Sequence, residues 1–273
     1  MRFTNISRTI LILALMLVVS GCVTRKSPGE RLQTKLFQAV KQSAESGDLE
    51  AQNKLGHFYA QGIGVGRDAK EGIRWLERAA AAGDPASQND LGVFYAKGIG
   101  VKRDPARARY WYEKAAEQKN SSALTNLGLM YLNGDGVAKD EMRAVEMFRA
   151  AAAQGSAKAQ FGIGLAYASG RGVAVDQEAA VDWFRKAAIQ GFAPAQNELG
   201  KRHTSGVGAP RDFEQAFSWF SPPAQQRQQA AMTNQAQSYR RGTRIGEDND
   251  TATRRFQAAA RLHLPAAAHP LCG

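Results

Sequence analysis

The sequence is short of the residues that staple small proteins or do their chemistry. Its 273 residues include two cysteines, Cys22 and Cys272, and four histidines. Two cysteines exclude a disulfide framework and zinc sites built on paired CxxC motifs. His57, His203, His263 and His269 are scattered without metal-ligand spacing, so no metal is expected. HExxH, GxSxG and SxxK are all missing, which removes common routes to a zinc protease, an α/β-hydrolase and a serine–lysine amidase. The apolar run Ile10–Val19 is ten residues long, against the roughly 20 that a membrane-spanning helix needs. Basic groups outnumber acidic ones 36 to 25, a net charge of +11, and this favours anionic partners in general. No block of Lys and Arg is interleaved with aromatics, as a stacking groove for single-stranded nucleic acid would require. Nucleic acid is therefore not an expected partner.

The amino-terminal segment has a recognisable plan. Arg2 and Arg8 precede the short apolar run, and small residues follow it, which is the secretory-signal pattern. The break, Val19-Ser20-Gly21-Cys22, resembles the bacterial lipobox. The resemblance implies cleavage before Cys22, whose sulfur would carry diacylglycerol, with a further acyl chain on the new amino group. Two or more chains give stable membrane anchoring where one does not. Residues 1–21 are then a signal peptide and 22–30 a lipidated, polar tether. Val23 rather than Asp after the cysteine favours an outer-membrane lipoprotein facing the periplasm.

What the chain has in abundance is a repeat. Tyr59, Tyr95, Tyr131 and Tyr167 are spaced by 36, and His203 and Tyr239 continue the series. Leu55, Leu91, Leu127, Ile163 and Leu199 precede them by four residues, while Gly62, Gly98, Gly134, Gly170, Gly206 and Gly242 follow by three. A further series runs Asp68, Asp104, Asp140, Asp176, Asp212 and Asp248. Coincident series at one fixed period are the signature of a repeat architecture. Within a unit, Ala51, Leu55 and Tyr59 share one face of a helix, and Gly62 ends it as a left-handed cap. Asp68 is placed to cap a second helix, with Glu71 three residues later, and Trp75, Leu76, Ala79 and Ala80 form that helix's buried side. Gly62-Ile63-Gly64-Val65-Gly66 lacks the Gly-Lys-Ser/Thr of a phosphate loop and recurs with the period, so these glycines are turns and no cofactor is expected. One such unit cannot bury its own apolar face; stacked neighbours can.

Leu91-Gly92, Tyr95, Gly98, Gly100-Val101, Asp104, Ala108, Trp111 and Ala115-Ala116 show the pattern most completely. It resembles the Sel1-like repeat, a relative of the tetratricopeptide repeat. The resemblance implies an all-α fold, a right-handed α-solenoid of stacked two-helix repeats. Residues 31–47 are expected to form an amino-terminal capping helix, 48–227 five repeats, 228–263 a degenerate sixth, and 264–273 a tail. The sixth is degenerate because Gln235-Ala236, Arg244 and Arg255 replace the Leu-Gly pair, the second loop glycine and the tryptophan.

Binding is expected rather than catalysis. In related solenoids the first helices line the concave surface, and the non-core positions there are Gln52-Asn53, Gln88-Asn89, Leu124-Thr125, Gln160-Phe161 and Gln196-Asn197. Amide and hydroxyl side chains both donate and accept hydrogen bonds, so Asn53, Asn89, Thr125 and Asn197 are candidate contacts for an extended peptide or sugar hydroxyls. Arg240, Arg241, Arg244, Arg254 and Arg255 form a second candidate, an anion contact. His203, at a packing-tyrosine position, is expected in the core. The expected partners are an envelope protein or peptide and, as an alternative, an acidic polysaccharide or peptidoglycan. Some cysteine-rich relatives are β-lactamase-like, with a disulfide in every unit; no unit of this chain holds a cysteine.

Overall fold

The computed structural model describes residues 27–212 and 215–220. The leader, Cys22, the sixth repeat with its arginines, and the tail lie outside the described residues. The chain divides between Trp75 and Leu76 into two compact units.

The first unit holds α1 (Pro28–Glu45), α2 (Leu49–Gln61) and the beginning of α3 (Ala69–Ala81). Helix α1 starts at Pro28, three residues before the capping helix expected over 31–47. The reason is local: Ser27 and Glu30 cap each other reciprocally, Glu30 Oε2 accepting from Ser27 N–H at 2.6 Å, and proline follows at the first helical position. Phe37, Ala44, Ala51, Leu55 and Trp75 form the core, with Phe37 edge-on to Tyr59 at 5.4 Å.

The second unit runs through α4 (Pro85–Lys97), α5 (Pro105–Glu117), α6 (Ser121–Asn133), α7 (Glu141–Ala152), α8 (Ala157–Ser169), α9 (Gln177–Ile189) and α10 (Ala193–Ser205), and residues 215–220 are again helical. The extensively packed helix pairs here are sequence neighbours, as a stacked repeat demands. No strand occurs among the described residues. None of their helices is long and apolar enough to cross a membrane.

The periodic residues have separate tasks. Asp104, Asp140 and Asp176 cap the second helices, accepting the N–H three residues on at 3.0, 2.9 and 2.9 Å. Their own N–H groups donate back to the carbonyls of Tyr95, Tyr131 and Tyr167, so tyrosine and aspartate close each loop together. His203 is buried in the tyrosine's place, with Nδ1 3.3 Å from the Pro210 carbonyl. The Leu-Gly pair serves packing: Gly92, Gly128, Gly164 and Gly200 lie under the rings of Tyr112, Phe148, Phe184 and Phe220. Between stacked repeats, Gly172 (φ +74°) lies so close to the Glu141 carbonyl that any Cβ would overlap it.

Candidate functional site

The paired polar positions on the first helices are less available than their sequence suggests. Gln88 is buried; its Nε2 donates to the Ala80 carbonyl at 3.1 Å and its Oε1 accepts from Gln118 Nε2 at 2.9 Å. Gln160 accepts from Gln190 at 2.8 Å in the same way, and Gln196 donates to the Ala188 carbonyl. Where Leu124 replaces the glutamine, Gln154 turns instead to its own helix at Ala150. These amides tie successive helices together.

Two of the candidate contacts are drawn into the stack of helices as well. Asn89 is 8% exposed and accepts from Asn126 Nδ2 at 3.0 Å, and Thr125 is 2% exposed and donates to the Ser121 carbonyl at 2.7 Å. Stacking the next repeat covers them, which the pattern of a single repeat cannot reveal. Asn53 and Asn197 are half-buried and already engaged. The arginine candidates and Cys22 lie outside the described residues.

The second unit instead has an open, mainly apolar groove of about 480 Å³, bounded by α6, α8 and Phe192. Leu129 and Leu132 supply one wall, and Phe161 and Leu165 the other. Two departures from the repeat build it. Phe161 takes the place held by Asn53, Asn89, Thr125 and Asn197, and Phe192 stands where Asp48, Asp84, Asn120 and Ser156 cap their helices. Those four cap side chains each accept a backbone N–H, whereas α10 begins without a side-chain cap. A missing cap costs about 1 kcal/mol. Phe161 lies 5.4 Å from Phe192 and 5.5 Å from Phe184. Gly162, at the position of Lys54, Asp90, Asn126 and Glu198, adds no bulk. The signal for this site was in the sequence, as residues that break their own repeat. Comparison between repeats finds both phenylalanines; the polar pattern includes Phe161 and misses Phe192.

Two cations mark the rim. Arg171 is spent on structure: its Nε reaches Glu141 at 3.0 Å and its Nη2 the Leu132 carbonyl at 3.0 Å. A hydrogen bond from Lys139 at 2.9 Å, together with that pairing, holds the Glu141 carboxyl below the usual range. Lys158 is different. It is solvent-exposed by area, yet the surrounding protein pushes its ammonium below the ordinary lysine value, and the charge of Lys97 adds to this. Among the described residues no group of His, Cys, Asp or Glu is arranged to hold a metal ion.

Comparison with known proteins agrees with this architecture. The family model described as Sel1 repeat matches residues 49–84, 85–120, 121–156, 157–192 and 193–225. A protective antigen of uropathogenic Escherichia coli, described as displaying an SLR fold, is 35% identical with a TM-score of 0.76. The match covers 85% of this chain and 50% of the antigen, so the chain spans about half that relative's length. A Sel1 repeat protein from Oxalobacter formigenes is 30% identical with a TM-score of 0.74, the match covering 84% of this chain and 99% of that one. An immunity protein of Pseudomonas aeruginosa, 22% identical at a TM-score of 0.54 over 74% of this chain and 76% of its own, shares the fold. No curated protein gives a significant match.

Proposed function

Because the chain belongs to the Sel1 repeat family, whose members mediate protein–protein interactions, we propose that it is a scaffold of the bacterial envelope that docks a partner protein in the groove between α6 and α8. The observation that carries this reading is the pair Phe161 and Phe192: apolar side chains replace polar ones where the repeat favours a polar group. Large apolar surface left open on a folded protein marks interaction sites. The family is generally non-catalytic, and the groove holds no nucleophile–base pair among its lining residues. Cys22, in its lipobox-like setting, would anchor the scaffold to the outer membrane with the repeats in the periplasm. The excess of basic residues supports an acidic polysaccharide as a second partner; the apolar walls favour a protein side chain in the groove itself.

Tagged chains expressed in the native bacterium, cross-linked in intact envelopes and purified, test both parts. Wild type is expected to retain one specific partner and to incorporate palmitate. Leu165→Arg, a change at an exposed position where Lys201 is the counterpart in the next repeat, should lose the partner while accumulating normally. Cys22→Ser should lose the label and remain unprocessed. Equal recovery with Leu165→Arg would contradict the groove, and unlabelled wild type would contradict the anchor.

A further inference from the structure

We propose that the groove's occupant is an acidic peptide segment of the partner, with one aromatic or long aliphatic side chain seated against Phe161 and Leu165 and an adjacent carboxylate on Lys158. This rests on the docking role above and specifies the chemistry of what docks.

Size and shape give the anchor. A space of about 480 Å³ lies in the range of small ligand sites, enough for one large side chain and its backbone and too little for a folded surface. Phe161 and Phe192 are half-buried, so their rings keep accessible faces. They already meet at an interplanar angle of 60°, and a third ring extends that edge-to-face arrangement favourably. Thr125 and Ser169, the hydroxyls among the lining residues, are committed to the Ser121 and Leu165 carbonyls, so they offer little to a polar anchor.

Charge decides the rest of the segment. The groove's other cation, Arg171, is neutralised by Glu141. Several lysines outside the groove pair with carboxylates, among them Lys54 with Glu50, Lys114 with Glu117 and Lys201 with Glu198. Lys158 lines the groove and has no such partner among the described residues, and the like charge of Lys97 acts on it as well. A basic peptide would crowd a further positive charge onto the pair, and a neutral one would leave the repulsion as it is. A carboxylate relieves it, and a hydrogen bond between charged groups is among the stronger ones.

The test is selection of a random heptapeptide display library on the purified full chain, on Lys158→Met and on Phe161→Asn. Methionine keeps the lysine's apolar stem, and asparagine is what Asn53, Asn89 and Asn197 supply at the equivalent position. Circular dichroism and thermal melting confirm that each variant folds. Wild type is expected to enrich Phe, Trp or Leu beside Asp or Glu. Lys158→Met should keep the apolar anchor and lose the acid, and Phe161→Asn should lose the anchor. For the best peptide, amidating its carboxylate should weaken binding to wild type roughly tenfold and leave binding to Lys158→Met nearly unchanged. No enrichment on wild type, enrichment without acids, or equal loss on both proteins would overturn the proposal. If Leu165→Arg loses its envelope partner while the segment bound is neutral or basic, this inference fails and the docking role stands. If no partner is recovered at all, the docking role fails first.

Discussion

Gly128 sits in mid-helix, where glycine is intrinsically worse than alanine by about 1 kcal/mol. Its retention has a packing cause: a Cβ there would come within 2.5 Å of Cε1 of Phe148. Filling that space forces the ring or the helix to move, at a cost of about 1–3 kcal/mol for overpacking. The second effect exceeds the first. Gly128→Ala should therefore lower unfolding stability by up to about 2 kcal/mol in urea titrations. Adding Phe148→Leu should recover part of the loss, because the smaller Leu76 occupies that place in the first repeat. A stabilising Gly128→Ala would show that the ring does not rest on the glycine. The glycine was legible in the sequence through its period, but its task was not. The sequence pattern draws the eye to the tryptophans, yet Trp111 and Trp183 are half-buried while the following Tyr112 and Phe184 fill the core. Adjacent residues of a helix differ by a rotation of about 100°, and a 36-residue period repeats both without saying which faces the core.

At the scale of the helix, starts and stops were the most readable feature, because capping is local chemistry. Aspartate, asparagine or serine at a cap accepts a nearby N–H whatever packs around it. Helix α10 is the exception, since Phe192 provides no side-chain cap and packs with Phe161 beside Ala195 and Leu199. Phe192→Asp restores the cap, worth about 1 kcal/mol. It also removes a half-buried ring, worth roughly the same on the low side of full burial. Chemical denaturation should accordingly find stability within about 1 kcal/mol of wild type. Binding of the selected acidic–aromatic peptides should fall at the same time, as measured by fluorescence anisotropy. A variant that kept full affinity would remove Phe192 from the site.

For the whole molecule, the five Sel1 repeats and the all-helical class were readable, since nearest-neighbour stacking makes each unit a copy of the last. The candidate surface was only half readable. Asn89 and Thr125 look exposed within one repeat and become buried once the next repeat lies over them, while the glutamines turn into a lattice between helices. The groove arises where Phe161 replaces the polar residue that follows the glutamine, so it follows from a difference between repeats and not from their consensus. Site-specific photo-cross-linking in intact cells measures this most directly. A benzophenone side chain is placed at Leu165 or Leu129 in the groove, or at Ile189 or Met142, exposed positions on second helices. The docking account predicts one discrete adduct from the first two positions and none from the others. The same adduct from Ile189 or Met142, or none from Leu165 and Leu129, would contradict it.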